Sequence, residues 1–112
     1  MKKIEAFIRP EKTGAVRKAV EALDITGLNI AQVDGCGKQR GTVQKFNGCE
    51  YKVGILPKTK IEIVVADNDV KKVVDAIVAA ARTGEVGDGK IFVSAIEEAV
   101  RIRTGETGKG GL

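Results

Sequence analysis

The stretch that decides the fold is PKTKIEIVVADNDVKKVVDAIVAAARTGEVGDGKIFVSA, which spans residues 57–95. From Pro57 to Val65 the polar and apolar side chains largely alternate, which predicts a strand with one buried face. The next apolar residues recur at helical spacing and predict an amphipathic helix. These residues are Val70, Val73, Val74, Ile77, Val78 and Ala81. Because Ile91 to Ala95 again favours a strand, the stretch predicts a strand-helix-strand unit.

Short polar residues and a glycine mark the limits of this helix. Asp67, Asn68 or Asp69 can cap its N-terminus, because each side chain can accept a hydrogen bond from a free N–H group of the first turn. Gly84 predicts that the helix ends near residue 82, since glycine readily adopts the backbone conformation that follows many helices.

The N-terminal half repeats the same order of elements. Residues 2–9 alternate and predict a strand, which Pro10 ends. Apolar residues at helical spacing predict a helix from about 12 to 23, and Gly27 closes the turn after it. Residues 28–33 predict the second strand.

The complete order is βαββαβ, which predicts a ferredoxin-like α+β fold with both helices on one face of an antiparallel sheet. We expect six apolar residues of the sheet to face the helices: Ile4, Ile8, Ile61, Ile63, Ile91 and Val93. The opposite face carries Phe7, Val33, Val64 and Phe92, interleaved with Glu5 and Glu62. Exposure of this largely apolar face to water is unfavourable, so we expect a homo-oligomer that buries it. The alternative is that scattered surface apolar residues need no partner.

Length and composition narrow the class of protein. At 112 residues the chain suffices for one domain, residues 1–112, and is too short for a separate catalytic domain. The net charge of +4 combines 19 basic with 15 acidic residues, an excess too mild to indicate nucleic acid. The chain has two cysteines, Cys36 and Cys49, and no histidine. This composition argues against a disulfide framework or a zinc site and favours free thiols. The segment MKKIEAFIRP lacks a continuous apolar run, which favours the cytoplasm over a signal peptide or membrane span.

Three segments fall outside this pattern of strands and helices. Residues 35–54 are rich in Gly, Lys and Gln. Their length far exceeds a usual hairpin connection of about two to five residues, which indicates a functional loop. Residues 98–103 can form a further short extended piece, and the composition of the tail GETGKGGL, at residues 105–112, predicts a flexible, disordered end.

The sharpest local signal for a ligand is TGEVGDGK at residues 83–90. It satisfies the first part of a phosphate-binding P-loop pattern, but Ile91 stands where Ser or Thr would bind magnesium, and a helix rather than a strand precedes it. Its glycines still allow N–H groups to converge on an anion, and Lys90 supplies positive charge. The alternative is a plain turn from helix to strand.

A second basic segment is RIRTGE at residues 101–106. In an extended chain Arg101 and Arg103 project to the same side, and two guanidinium groups suit a polyphosphate. The alternative is an exposed edge strand that carries positive charge.

Together these segments resemble the PII signal-transduction proteins over essentially the full chain. The matching motifs are MKKIEAFIRP, GCGKQRG, LPKTKIEIVV, TGEVGDGKIFV and RIRTGE, in their expected order and spacing. The resemblance implies a homotrimer of βαββαβ subunits that binds ATP or ADP, Mg²⁺ and 2-oxoglutarate. It also implies that one long loop, the T-loop at about residues 37–55, passes the signal of nitrogen and energy status to a partner.

The resemblance further implies nucleotide sites in the clefts between subunits. By position, the nucleotide-binding residues are Asn29, Gly37, Lys38, Gln39, Glu62, Val64, Gly87, Asp88, Gly89, Lys90, Arg101 and Arg103. The resemblance implies that Arg101 and Arg103 would reach the nucleotide from the adjacent subunit. Asn29 stands where Thr is usual and keeps the capacity to hydrogen-bond, and Phe7 is bulkier than the usual aliphatic residue.

For 2-oxoglutarate, the resemblance assigns Gln39, Arg40, Gly41 and Lys58. Gln39 would also coordinate the magnesium that ATP and 2-oxoglutarate share, and Lys58 would pair with a carboxylate of 2-oxoglutarate. MgATP with 2-oxoglutarate would then draw the T-loop into one arrangement, whereas ADP would leave it free to take another.

The tip of the T-loop, QKFNGCEY, bears on modification and on partners. Tyr51 matches a uridylylation target of some family members, or it is an unmodified residue that packs on the partner. Cys49 stands where another branch phosphorylates Ser, and Asn47 stands where some members insert Arg into an ammonium channel. Lys45 or Lys52 can partly compensate. We therefore expect an ammonium transporter as the partner, with only indirect membrane contact, followed by nitrogenase or glutamine synthetase.

Three other functions share parts of the pattern. An RNA-binding RRM has the same βαββαβ order, but it stacks bases on exposed aromatic residues of its central strands, and KTKIEIVV has none. An enzyme is disfavoured because the phosphate loop is accompanied by no histidine and no apparent pair of nucleophile and base. A ferredoxin-like amino-acid-binding regulatory domain would bind an amino acid and ignore ATP. We expect neither nucleic-acid binding nor catalysis.

Overall fold

The computed structural model describes residues 1–25, 27–36, 43–46, 49–52 and 55–112. The predictions for Gly37, Lys38, Gln39, Arg40, Gly41 and Asn47 lie outside the described residues. The strands and α-helices are β1 (Lys2–Ile8), α1 (Thr13–Glu21), β2 (Asn29–Cys36), β3 (Val43–Phe46), β4 (Cys49–Lys52), β5 (Ile55–Val65), α2 (Val70–Ala81) and β6 (Lys90–Ala95). Within the described ranges, no helix is long and apolar enough to cross a membrane.

Four of the strands form one antiparallel sheet, in the spatial order β2, β5, β1, β6. The central strands β1 and β5 pair over seven positions, with Ile4 opposite Ile63 and Glu5 opposite Glu62. α1 connects β1 to β2, and α2 connects β5 to β6. This order and connectivity are those of the ferredoxin-like βαββαβ fold, so the predicted fold class is confirmed.

The core lies between the sheet and the two helices, as the alternation of the strands predicts. Its buried apolar residues are Ile4, Ala6, Ile8, Val16, Val20, Ile61, Ile63, Val65, Val73, Ile77 and Ala81. A fully buried Ile or Val side chain stabilises a fold by about 1.5–3 kcal/mol relative to exposure. Val93 faces the same side, opposite Ile4 in register, but it is 45% exposed because β6 is an edge strand.

The N-terminus of α2 differs from the capping prediction. Residues Asp67–Asp69 form a 3-10 turn that runs directly into the helix, and Asp69 occupies the cap position without a side-chain capping bond. A cap residue normally has extended backbone, whereas Asp69 is already helical. Its carboxylate lies 3.2 Å from the Lys72 ammonium instead, and the Asp67 carboxylate accepts a 2.8 Å hydrogen bond from the Met1 amino group. The prediction that one of these side chains caps the N-terminus of α2 was therefore wrong.

The long segment without sequence periodicity contains a β-hairpin. β3 pairs antiparallel with β4, and Gln44 lies opposite Tyr51. β2 and β5 also continue further than their apolar patterns predict, to Cys36 and from Ile55. Hydrogen bonding between backbones holds such a ribbon together and needs no alternation of apolar side chains, which is why the sequence pattern missed it.

The segment after β6 does not form the extended piece that the sequence predicts for residues 98–103. Val100 makes an isolated bridge to Thr107, and residues 102–104 form a turn. The Arg101 N–H donates to the Glu106 carbonyl at 2.8 Å, and the Gly105 N–H donates to the Arg101 carbonyl at 2.7 Å. The expectation that Arg101 and Arg103 share one side of a strand was wrong, because Gly105, at φ 73°, allows the chain to reverse there.

The tail, which composition predicts to be disordered, carries regular structure. Gly108–Gly111 form a 3-10 helix. The Gly108 N–H lies 2.8 Å from the Glu98 carboxylate and 3.1 Å from the Ala99 carbonyl, and the Arg101 guanidinium donates to the Leu112 carbonyl. These contacts attach the tail to the preceding segment, and composition alone does not reveal them.

Candidate functional site

The loop between α2 and β6, residues 82–89, is built around the carboxylate of Asp88. This carboxylate accepts hydrogen bonds from the N–H groups of Thr83 and Gly84, each at 2.9 Å, and from the Thr83 hydroxyl. The Thr83 hydroxyl bond, followed by the Thr83 N–H bond, holds the pKa of Asp88 well below its ordinary value, because both stabilise the ionised form. The chain is therefore closed into a tight loop by one ionised side chain.

Arg9, at the end of β1, binds the same loop from outside. Its Nε atom lies 3.1 Å from an Asp88 carboxylate oxygen, and a terminal nitrogen donates a 2.8 Å hydrogen bond to the Val86 carbonyl. Both charged side chains are about 25% exposed, so water screens their attraction only in part. The planar guanidinium group thus joins two separate points of the loop to the sheet.

Lys58 on β5 binds the loop at a third point. Its ammonium group donates a hydrogen bond to the Gly87 carbonyl. Gly35, on the neighbouring strand β2, leaves room for the lysine stem, because a Cβ there would lie 2.8 Å from the Lys58 Cγ atom. The structure therefore brings the predicted 2-oxoglutarate residue Lys58 onto the predicted phosphate loop.

Gly89 ends the loop at a position that no larger residue fits. Its φ is 103°, and a Cβ on Gly89 would overlap the Phe7 carbonyl oxygen. The close approach lets β6 begin at Lys90, which lies opposite Phe7 on β1. Lys90 is exposed at this edge, so the loop presents a cation beside its glycine backbone.

The other predicted nucleotide residues lie on the sheet face that the helices do not cover. Asn29 is opposite Glu62 across β2 and β5, and Val64 is opposite Lys3 across β5 and β1. The Glu62 carboxylate lies 3.3 Å from the Lys60 ammonium. These positions share the face that carries Phe7 and Phe92.

The basic pair of the C-terminal segment lies apart from this loop. Within the described part of the chain, neither Arg101 nor Arg103 hydrogen-bonds to residues 82–89. Arg101 binds the Leu112 carbonyl, its buried Nε atom has no partner among the described residues, and Arg103 is exposed. Their assignment to the nucleotide of an adjacent subunit stays a prediction.

A recess of about 280 Å³ lies behind the loop, next to α2. Its walls are mostly aliphatic and include Val74, Ile77 and Ile91, with Arg82 and Lys90 among the polar residues that line it. Ligand pockets commonly measure about 300–1,000 Å³, so this recess is small for a nucleotide. The chemistry suited to phosphate lies at the glycine loop and the ammonium groups of Lys58 and Lys90.

Magnesium binding was predicted from the sequence with Gln39 as its protein ligand. Among them, no three His, Cys, Asp or Glu side chains gather at a possible metal site. The residue predicted to coordinate magnesium, Gln39, lies outside the described residues. The fit of a nucleotide to this site therefore rests on the loop and its cations.

Sequence reasoning missed Arg9 and Thr83. In the sequence, Arg9 is one more polar residue of an alternating strand, and Thr83 is the first residue of a predicted turn. Neither pattern indicates a role in the site. The available signal was that an ionisable residue, Asp88, stands between the glycines of the loop and needs donors nearby. Thr83 meets Asp88 within the loop itself, whereas Arg9 becomes evident only when the fold places the end of β1 beside β6.

Comparison with known proteins matches this sequence to one family. Residues 1–106 match the family described as "Nitrogen regulatory protein P-II". The chain belongs to the P-II family. It is 53% identical over 109 residues to "Nitrogen regulatory protein P-II 2" of Methanothermobacter thermautotrophicus, covering 97% of this chain and 95% of that protein. It is 51% identical over 112 residues to "Nitrogen regulatory protein P-II" of Cereibacter sphaeroides, covering both chains completely.

A third P-II relative extends the comparison. The protein of the same description from Microchaete diplosiphon is 55% identical over 106 residues, which cover 95% of each chain. The P-II match includes both the loop at residues 82–89 and the RIRTGE segment. The family predicted from the motifs is confirmed, and with it the class of nitrogen regulatory protein.

Proposed function

We propose that this protein transduces nitrogen and energy status by binding ATP or ADP at the loop of residues 82–89 and 2-oxoglutarate beside Lys58. The observation that carries the proposal is the hydrogen-bonded glycine loop, closed by Asp88 and bordered by the ammonium groups of Lys58 and Lys90. Glycine-rich backbone and nearby cations are suited to phosphate. Magnesium, when bound, would link the triphosphate to 2-oxoglutarate, with Gln39 as the predicted protein ligand.

Lys58 is the residue that joins the two ligands. Its ammonium group donates a hydrogen bond to the neutral Gly87 carbonyl. A carboxylate accepts a stronger, charge-assisted hydrogen bond than a carbonyl does. 2-Oxoglutarate would therefore draw Lys58 away from the loop, and the T-loop, which ends in β5, would take a different arrangement.

The response of the T-loop is a shift between two populations. A ligand changes the balance only by its difference in affinity for the two arrangements. A difference of about 1–3 kcal/mol changes the affinity for the partner roughly fivefold to 150-fold. No catalytic step is needed for this function, and we propose that the protein is a regulator rather than an enzyme.

The assembly that we propose is a homotrimer with its nucleotide sites between subunits. The uncovered face of the sheet carries Phe7 and Phe92 in an edge-to-face pair, with 6.0 Å between ring centroids, and Phe92 is 55% exposed. An aromatic pair that joins the edge strand β6 to its neighbour β1, with one ring more than half exposed, favours burial against another copy. Arg101 and Arg103 would then reach the nucleotide bound to the neighbouring subunit.

The partner that we propose first is an ammonium transporter, approached from the cytoplasm by the T-loop. The alternative partner is a nitrogen-metabolism enzyme such as nitrogenase or glutamine synthetase. Tyr51 lies in β4 of the hairpin, where it can serve as a modification site or as a contact to the partner.

Titration calorimetry with ATP, ADP and 2-oxoglutarate, each alone and in combination, tests the ligands. We expect 2-oxoglutarate to bind only when MgATP is present, with no substitution by ADP. Absence of ATP and ADP binding would contradict the proposed function. Recovery of partners from cell extract, in ADP and again in MgATP with 2-oxoglutarate, tests the output: equal recovery of the same partner under both conditions argues against ligand-gated binding.

A further inference from the structure

We propose that Arg9 is a positioning residue of the nucleotide site, which holds the phosphate loop in its binding conformation through Asp88 and Val86 without touching the ligand. This inference rests on the proposed function, because it concerns the loop to which nucleotide phosphates would bind. Neither the alternating pattern of β1 nor the motifs of the loop assign Arg9 a role.

The first argument is the number of loop positions that Arg9 connects. Its two hydrogen bonds reach the Asp88 carboxylate at 3.1 Å and the Val86 carbonyl at 2.8 Å. Through the same carboxylate, Asp88 holds the N–H groups of Thr83 and Gly84. One guanidinium group therefore fixes the start, the middle and the end of the loop relative to β1.

The second argument is the rigidity of the residue that carries the guanidinium group. Arg9 directly follows β1, a central strand whose Ile8 is only 2% exposed, and precedes Pro10, whose ring fixes its own φ. The side chain thus starts from a well-supported backbone position. A loop held in its bound shape loses less conformational entropy when a ligand binds, so affinity rises without a new ligand contact.

The third argument is that a lysine would not replace Arg9. The Nε atom and a terminal nitrogen of one planar group meet two different acceptors. A single ammonium group has no comparable fork. If Arg9 acted only by attracting phosphate through its charge, lysine would restore affinity; if it acts by positioning, lysine would not.

The test compares Arg9→Gln and Arg9→Lys with the wild-type protein. Calorimetry measures ADP and ATP affinity, hydrogen exchange of the backbone amides at residues 83–89 without nucleotide measures loop order, and thermal unfolding measures stability. Arg17→Gln is the matched control, because Arg17 is 54% exposed on α1 and pairs with Glu21, at 3.8 Å, one helical turn away.

We expect both Arg9 variants to bind ADP and ATP about tenfold more weakly, in line with the loss of a hydrogen bond between charged groups. Exchange at Thr83 and Gly84 should accelerate, while Arg17→Gln changes neither quantity. Adding Arg9→Gln to Asp88→Asn should weaken affinity by less than it does in the wild type, because the two residues act together.

Three results would overturn the inference: unchanged affinity in Arg9→Gln, full rescue by Arg9→Lys, or weaker binding with unchanged exchange at residues 83–89. A wild-type protein that binds neither nucleotide would instead contradict the proposed function, and the exchange measurement would still report whether Arg9 holds the loop.

Discussion

The Lys58 ammonium group, on the central strand β5, donates a hydrogen bond to the main-chain carbonyl of Gly87 in the loop between α2 and β6. A residue predicted to bind one ligand therefore contacts the segment predicted to bind the other. This contact gives the two proposed ligands a shared structural element, since a new partner for Lys58 removes a hydrogen bond from the loop.

Replacing Lys58 by Ala should remove most 2-oxoglutarate affinity and reduce ATP affinity much less, because Lys58 only borders the phosphate loop, with a hydrogen bond to the Gly87 carbonyl. The expected loss for 2-oxoglutarate is about 1.5–3 kcal/mol, the range for a hydrogen bond to a charged group. Calorimetry in saturating MgATP measures the first effect, and calorimetry with ATP alone measures the second. Lys71→Ala is the control, because that lysine pairs with Asp75 on the outer surface of α2. An equal loss of both ligands would contradict separate roles for Lys58 and the loop.

Gly89→Ala should strongly destabilise the fold. The strained backbone alone costs about 1–3 kcal/mol, and the overlap of the alanine Cβ with the Phe7 carbonyl adds to that cost. Gly14→Ala is the matched control: that residue lies in α1 with open space around it, so alanine should stabilise the helix by up to about 1 kcal/mol. Urea unfolding measures both changes. A Gly89→Ala protein as stable as the wild type would show that the close approach of β1 to the loop is not required.

Asp88 should make stability depend on pH in the acid range. Its folded-state pKa is depressed, first by the Thr83 hydroxyl bond and then by the Thr83 N–H bond, so the ionised carboxylate stabilises the fold above its ordinary pKa. This stabilisation should be present above about pH 4 and disappear as the pH falls further, through the folded-state pKa.

The measurement for this effect is the urea midpoint of wild type minus that of Asp88→Asn, at a series of pH values. The difference should stay constant from about pH 5 to 8 and shrink below about pH 4. Asp75→Asn, on the exposed side of α2, controls for the removal of a carboxylate in general. A difference that does not change down to pH 3 would contradict an ionised Asp88 as the centre of the loop.

The two helices and the strands of the four-stranded sheet could be predicted because short-range side-chain periodicity determines them. The alternation from Pro57 to Val65 identified β5 to within two residues, and Gly84 identified the end of α2, predicted near residue 82, to within one. The core follows directly from those patterns, since Ile61 and Ile63 point to the same face as Ile4.

The organisation of the site could be predicted only in part. The glycines and Lys90 indicated an anion loop, but the role of Asp88 as an internal acceptor depends on the loop conformation. Arg9 and Asp88 are 79 positions apart in sequence, and the pairing of β1 with β6 brings their neighbourhoods together. Local patterns carry no information about such long-range contacts.

Lys90→Ala and Arg103→Ala should each lose ATP affinity. Part of that loss should be reversed when the two variants are unfolded and refolded together. If each proposed site takes Lys90 from one subunit and Arg103 from the next, a trimer that contains both variants has one site with both native residues. Each pure variant should bind ATP about 1–3 kcal/mol more weakly than the wild type. The mixture, after unfolding and refolding together, should recover up to one high-affinity site per mixed trimer.

The control is the same mixture prepared without refolding, in which subunits have not been exchanged and no high-affinity site should form. Sedimentation of the refolded sample establishes the oligomeric state in parallel. Recovery of no high-affinity site in a verified mixed trimer would place Lys90 and Arg103 in the same subunit's site. A monomer that binds ATP with undiminished affinity would contradict a nucleotide site between subunits.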